Sequence, residues 1–196
     1  TEVAKSMNWR DRPRIKDRGM GFACMERTIK TPFGSAAFIK INEDATVDVL
    51  GSTTEVGQGA DTILSQIVAE ELGVPMEAVR KPAPNTMFTP FDASTTSSRS
   101  TFHMGNAVKI AAGDAKQQLL ELAASLLHRD ADELSIRDSF IAPKNDRENG
   151  LSIVDVMKAH YGPSSTVLGR GFYIPEMPEG PAEYYTRDTI FWLLGA

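Results

Sequence analysis

The sequence predicts an α+β fold, a two-layer sandwich in which helices pack on one face of a mixed β-sheet. Early apolar runs alternate with a period of two, two later segments repeat apolar residues every three to four positions, and the element order lacks the strict alternation of a doubly wound sheet. The chain has 196 residues, 41% hydrophobic and 24% charged, which is the balance of one ordinary globular domain with a sizeable core.

The first two strands should pair as an antiparallel hairpin. Ala37, Ile39 and Ile41 alternate with other positions, as expected for a half-buried strand. A polar turn follows at residues 42–45, and residues 46–50 alternate again.

Two helices carry the second layer. The first has an apolar stripe, with Asp61 or Thr62 as the predicted N-cap and Gly73 as the stop; the stripe consists of Leu64, Ile67, Val68 and Leu72. The second is the longest element, and small residues on it should let it lie close to a sheet; its stripe consists of Val108, Ala111, Ala115, Leu119, Leu122 and Leu126.

The other predicted elements and the composition of the two ends indicate the limits of the domain. A short apolar segment lies near Val79, a further strand is expected over residues 134–141, and a short helix over residues 151–160. We predict an N-terminal connector at 1–30, rich in Arg, Lys and Asp, a domain at 31–174, and a loop with a truncated final strand at 175–196. Because the chain starts at threonine and stops in an apolar run, we expect it to be a piece of a longer polypeptide.

Composition excludes several classes of function. The net charge of −5 argues against a nucleic-acid partner, and no apolar run is long enough to predict a membrane span. The single cysteine, Cys24, forms no internal disulfide or cysteine-only metal site, is expected to be a buried apolar group, and fits a reducing, cytoplasmic location. The three histidines are too far apart for a two-histidine metal motif, so surface or core roles are expected. Serine-hydrolase, P-loop and Rossmann motifs do not occur.

The first candidate site is the turn Gly57-Gln58-Gly59, just before the first helix. Glycines allow positive φ and close approach of a ligand, so amide N–H groups at a helix start can hold an anion. The Gln58 amide adds a donor and an acceptor that could pair with a heterocycle edge or an oxo group. A plain glycine turn between strand and helix is the alternative.

The second candidate site is the loop at residues 92–101, where most side chains carry hydroxyl groups and Arg99 stands among them. Hydroxyls, successive backbone amides and a guanidinium ahead of a helix are groups that bind phosphate oxygens. A flexible Ser/Thr linker is the alternative, although the helix that follows leaves the segment little freedom.

Together the two loops resemble the molybdopterin-binding large subunit of molybdenum hydroxylases. This is the family of xanthine dehydrogenase and aldehyde oxidase, with 4-hydroxybenzoyl-CoA reductase and aerobic carbon monoxide dehydrogenase. The resemblance runs in order and spacing from about residue 18 to residue 108, and its finer character is most similar to the hydroxybenzoyl-CoA reductase branch. The matching residues are 54–59, Gln66, Glu70, 72–75, Asn85, Thr86, Pro90, 97–99 and 105–108.

The resemblance implies a cofactor and the residues that bind it. Molybdenum is held by a pyranopterin, which in bacterial members usually forms a cytosine dinucleotide. By position, one group of residues would serve the pterin and the outer shell of the metal, and these are Gly57, Gln58 and Gly59. A second group would bind the phosphates, and these are Ser97, Ser98, Arg99 and Ser100. Both loops also meet the chemical demands argued above.

The resemblance further implies an oxidoreductase that acts on the C–H bond of a small molecule: an aldehyde, an N-heterocycle or an aromatic acyl-CoA. Its partners would be the rest of the large subunit, an iron–sulfur subunit and, as an option, a flavin subunit carrying FAD. The family's catalytic glutamate and a glycine-rich G-G-x-F-G-G run do not occur in this chain, so we expect no catalytic residue, no direct metal ligand and no turnover by the chain alone. A stand-alone nucleotide or anion sensor and a purely structural module are the alternatives.

Overall fold

The computed structural model describes residues 2–21 and 32–176, which belong to two compact units. Residues 2–21 belong to the first unit and contain helix α1 (Glu2–Ser6), so the predicted connector includes a short helix. In this unit the Arg12 guanidinium stacks over the Trp9 ring, 3.8 Å from its centroid. Cys24 and the predicted final strand lie outside the described residues.

The second unit, described over residues 32–176, holds the rest of the regular structure. In chain order its elements are β1 (Ser35–Ile41), β2 (Val47–Leu50), α2 (Ala60–Leu72), β3 (Val79–Arg80), α3 (Gly105–Leu127), β4 (Leu134–Arg137), β5 (Phe140–Pro143), β6 (Leu151–Ser152), α4 (Ile153–Tyr161) and β7 (Val167–Tyr173).

The main sheet is mixed, as predicted, and has the strand order β3-β2-β1-β7. The predicted hairpin is confirmed: β1 pairs antiparallel with β2, with Ile39 opposite Val49. Strand β1 also pairs antiparallel with β7, and β2 pairs in parallel with β3. Every second residue of β1 is fully buried while the others are partly exposed, because successive side chains of a strand point to opposite faces.

Helices α2 and α3 form the second layer, and α3 packs against β1 and β7. The predicted stripe of α3 is confirmed, with Leu122 and Leu126 partly rather than fully buried. The small residues bring α3 very close to β7: a Cβ added to Gly169 would lie 2.1 Å from the Ala111 carbonyl oxygen. The predicted α+β fold with helices on one face of a mixed sheet is therefore confirmed.

Three details differ from the sequence prediction. The single strand expected at 134–141 is two strands, because Asp138 and Ser139 both adopt positive φ and turn the chain between β4 and β5. These strands and β6 form a second, antiparallel sheet of three strands. Strand β7 was not predicted, since its two glycines and one arginine hide the apolar alternation.

The ends of α2 are set by two glycines. Gly73 adopts φ 74°, and its N–H donates to the Ala69 carbonyl at 2.9 Å, which confirms the predicted stop. The predicted N-cap is wrong: the helix begins at Ala60, and the cap position is Gly59, which has no side chain to offer a hydrogen bond. The acceptor for the first amides of the helix must therefore come from another residue.

Candidate cofactor site

The structure brings the two predicted loops together, although about forty residues separate them in the sequence. Thr53 Oγ1 donates to Asp92 Oδ2 at 3.0 Å. Thr54 N donates to Thr95 Oγ1 at 3.0 Å, and the same hydroxyl donates to the Thr54 carbonyl at 3.1 Å. We call these contacts the loop seam; they join the residues just before the glycine turn to the hydroxyl-rich loop.

The glycine turn presents its backbone to open space. Gly57 and Gly59 adopt φ of 99° and 80°, and no heavy atom outside the adjoining residues of the chain lies within 4 Å of a Cβ added at either position. Residues with side chains rarely adopt this conformation, so glycine is the residue type that the turn requires. A planar ligand could lie directly on the turn.

The side chain of Gln58 folds back onto its own turn. Its Oε1 accepts from Val56 N at 2.7 Å, and its Nε2 donates to the Thr54 carbonyl at 2.9 Å. These partners fix which end of the amide is oxygen, because an N–H must meet an acceptor and a carbonyl must meet a donor. One lone pair on Oε1 and one N–H on Nε2 remain for a ligand.

Glu55 supplies the missing acceptor at the start of α2. One carboxylate oxygen accepts from Gly57 N at 2.7 Å and from Gly59 N at 3.1 Å, and the other accepts from Asp61 N at 3.1 Å. The amide of Asp61, followed by that of Gly59, holds the pKa of the Glu55 carboxyl below its usual range. Three backbone amides at the turn and the start of α2 therefore donate to one carboxylate. Sequence reasoning assigned Glu55 no role, although its place before a glycine turn at a helix start was a usable signal.

The hydroxyl-rich loop contains two serines in an unusual conformation. Ser97 and Ser98 are consecutive residues with φ of 51° and 52°, and Ser98 is exposed. Such non-glycine residues are uncommon and persist where surrounding contacts hold them. Ser100 then opens one turn of π-helix (Ser100–Met104) that leads into α3, so the loop does not run straight into an α-helix.

Arg99 lies inside the fold. Its side chain has no exposed surface, and its guanidinium is 2.6 Å from Asp92 Oδ1. It also donates to the Ser94 carbonyl at 3.1 Å and to Ser35 Oγ at 2.9 Å. Arg99 therefore fastens the loop to the first strand, while a direct phosphate contact by this residue stays a prediction.

Asp92 connects these contacts. It is 9% exposed and accepts hydrogen bonds from Ser35, Thr53 and Arg99, so it joins the start of β1 to both loops. Charge-assisted bonds of this kind are shorter and stronger than neutral ones. No periodic pattern marks a buried aspartate in a polar loop, and sequence reasoning missed it.

Lys81 is a third residue that sequence reasoning missed. It directly follows β3, its side chain is 1% exposed, and its Nζ lies 2.7 Å from Asp61 Oδ1. The same ammonium donates to the Thr53 carbonyl at 3.0 Å, which ties the start of α2 to the loop seam.

His103 has a core position, in line with the expectation for the histidines. It is fully buried, and its Nδ1 lies 3.0 Å from the Phe33 carbonyl oxygen and 3.3 Å from a nitrogen of Arg99. Across residues 2–21 and 32–176, no three His, Cys, Asp or Glu side chains are grouped so that they could hold a metal ion. None of the helices described there has the length and apolar character to cross a membrane.

Two polar loops joined by hydrogen bonds on an α+β sandwich form a candidate cofactor site. Sequence comparison identifies the family: a family profile described as the molybdopterin cofactor-binding domain matches residues 2–191, and the chain belongs to that family.

Curated relatives are much longer proteins. The chain is 37% identical over 153 residues to the xanthine dehydrogenase molybdenum-binding subunit of Escherichia coli O157:H7, covering 74% of the chain and 20% of the relative. It is 29% identical over 133 residues to the nicotine 6-hydroxylase large subunit of Paenarthrobacter nicotinovorans, covering 68% of the chain and 16% of the relative. The chain thus spans about a fifth or less of their length.

Solved structures show the same fold. A Cu,Mo-CO dehydrogenase matches with a TM-score of 0.66 at 25% identity, over 79% of the chain and 21% of that structure. Quinoline 2-oxidoreductase from Pseudomonas putida 86 matches with a TM-score of 0.62 at 24% identity, over 74% of the chain and 19% of that structure.

Proposed function

We propose that the glycine turn and the hydroxyl-rich loop bind the molybdopterin cofactor in the large subunit of a molybdenum-dependent oxidoreductase. The observation that carries the proposal is the loop seam, which aligns two sequence-distant polar loops on one side of the fold. A domain with only a structural role has no need to combine an open glycine turn with two consecutive serines in the left-handed conformation, of which Ser98 is exposed.

The residues fit the cofactor in shape and chemistry. Gly57 and Gly59 leave room for a flat pterin to contact the backbone, and Gln58 keeps one donor and one acceptor for it. The amides of Gly57 and Gly59 already hold the Glu55 carboxylate, so the phosphates of the cofactor are assigned to the hydroxyl-rich loop and not to these amides. The phosphates would meet the hydroxyls of Ser97, Ser98 and Ser100, with Arg99 and Asp92 fixing the loop from beneath.

The finer form of the cofactor follows the family resemblance. We propose the cytosine dinucleotide form, with iron–sulfur clusters, and optionally FAD, on other subunits of a cytoplasmic complex. When bound, the cofactor would supply the redox chemistry, and the chain's own residues would bind and orient it. The names of the two curated relatives, xanthine dehydrogenase and nicotine 6-hydroxylase, favour an N-heterocycle as the small-molecule substrate; the hydroxybenzoyl-CoA reductase branch stays a prediction.

A substitution of Gln58 tests the site. In the full-length complex, Gln58→Ala removes the amide beside the pterin while leaving both glycines in place. A net hydrogen bond contributes about 0.5–1.5 kcal/mol, so cofactor affinity should fall by about 2- to 10-fold. The measurement is molybdenum by mass spectrometry and released cytidine nucleotide by chromatography.

The matched control is Gln66→Ala, because Gln66 is exposed on the outer side of α2. The control should retain both molybdenum and nucleotide. Wild-type content of both in Gln58→Ala would refute the assignment of the turn. Tight binding of cytidine nucleotides by the chain alone, without molybdenum, would favour the stand-alone sensor instead.

A further inference from the structure

We infer that Glu55 is a positioning residue that holds the Gly57-Gln58-Gly59 turn in its binding shape; the inference rests on the proposed function of that turn. The Glu55 carboxylate accepts the hydrogen bonds that an N-cap side chain would normally accept, although Glu55 lies four residues before the cap position. It reaches amides in the turn, at the cap and inside the helix, at Gly57, Gly59 and Asp61.

The need for such a residue follows from the cap. Gly59 provides the left-handed conformation that turns the chain into α2, but it has no side chain to accept a hydrogen bond. The first amides of any helix lack partners within the helix, and they attract negative charge. The cap position needs glycine for its conformation, and the helix start needs a hydrogen-bond acceptor that glycine lacks. Glu55 meets the second need from outside the cap position.

The contacts of Glu55 also determine the direction in which the Gln58 side chain leaves the turn. The two amides bound by one Glu55 oxygen belong to the residues immediately before and after Gln58. Holding both fixes the backbone on each side of Gln58, so its side chain leaves the turn in a defined direction. Its return bonds to Val56 and Thr54 complete this arrangement. A site fixed before the ligand arrives loses less conformational entropy on binding.

Glu55 makes these bonds while exposed to solvent, where water competes for every amide. Its effect should therefore be local: loss of the carboxylate should loosen the turn and leave the core of the sheet unaffected. A residue that acts only on overall stability would instead weaken the whole unit. Local order and global stability can be measured separately.

The test compares three variants in the full-length complex. Glu55→Ala removes all three bonds. Glu55→Gln keeps an oxygen for Gly57 and Gly59 but turns an N–H toward Asp61 N, so it should rescue the turn in part. Glu70→Gln is the control, because it removes one negative charge from an exposed position on α2. Hydrogen exchange by mass spectrometry is read on cofactor-free protein over residues 54–63, and molybdenum and nucleotide contents are read on loaded protein.

We expect loss of amide protection at 54–63 in Glu55→Ala, an intermediate loss in Glu55→Gln, and none in Glu70→Gln, with cofactor content falling in the same order. Unchanged exchange in both Glu55 variants would overturn the inference, and so would an equal loss throughout the core strands. Faster amide exchange at 54–63 together with full cofactor content would confirm that Glu55 holds the turn in shape, but would refute the turn as the cofactor site.

Discussion

The chain contains the pattern glycine-x-glycine twice in the described part of the second unit, and glycine is required for a different reason in each copy. Gly57-Gln58-Gly59 is a turn with positive φ and open space around both glycines. Gly169-Arg170-Gly171 is part of strand β7, where a Cβ at either glycine would lie 2.1 Å from a carbonyl oxygen of α3. The first pair needs glycine for conformation, and the second needs it for space.

The comparison teaches that each region is held by a different kind of interaction. The turn has few apolar contacts and depends on hydrogen bonds from Glu55, Gln58 and the loop seam. Strand β7 depends on close packing against Ala111 and Ala115. The two loops should therefore respond to changes in polar groups, while the contact between α3 and β7 should respond to changes in volume.

The largest expected effect is the loss of the buried cation beneath the loops. Arg99→Met would leave Asp92 as an unpaired buried charge, which typically costs about 3–5 kcal/mol. Urea unfolding of the chain should show this decrease. The control is Arg80→Met, because the Arg80 side chain is 66% exposed in its ion pair with Asp48, and screening by solvent should leave its unfolding midpoint near wild type.

A double variant sharpens this prediction. Asp92→Asn combined with Arg99→Met removes both charges, and should recover part of the stability that Arg99→Met alone loses. An unfolding midpoint of Arg99→Met equal to that of the wild type would show that the buried pair does not support the loops.

The second largest effect is expected from a substitution in the closely packed glycine pair of β7. In Gly171→Ala the new methyl group would lie 2.1 Å from the Ala107 carbonyl oxygen and 2.5 Å from Ala111 N. Both are backbone atoms of a helix and cannot move aside individually, so we expect a loss of about 1–3 kcal/mol of unfolding free energy. Leu168→Ala, at a 52% exposed position of the same strand, is the control and should lose much less. A stable Gly171→Ala variant would mean that α3 and β7 can separate at no measurable cost.

Periodicity was sufficient to predict the hairpin, α2, α3 and the fold class, because burial imposes a period of two on strands and of about 3.6 on helices. It was insufficient for β7, where close packing replaces apolar side chains by glycine. It also missed Asp92 and Lys81, whose burial depends on partners distant in the sequence. The two candidate loops were predicted from local chemistry and from the family resemblance; that they lie side by side required the structure.

The smallest effects come from a matched pair of glycine-to-alanine changes that should have opposite signs. At Gly59 the backbone has φ 80°, which costs an L-residue about 1–2 kcal/mol, so Gly59→Ala should lower the urea midpoint even though no atom obstructs its Cβ. At Gly113, inside α3, the nearest atom to an added Cβ is Glu71 Oε1 at 3.9 Å, and the backbone is already helical. Alanine there should stabilise the chain by about 0.5–1 kcal/mol, because glycine loses more conformational entropy on entering a helix. If Gly59→Ala were as stabilising as Gly113→Ala, the left-handed turn before α2 would be wrong, and with it the geometry by which Glu55 and Gln58 are placed.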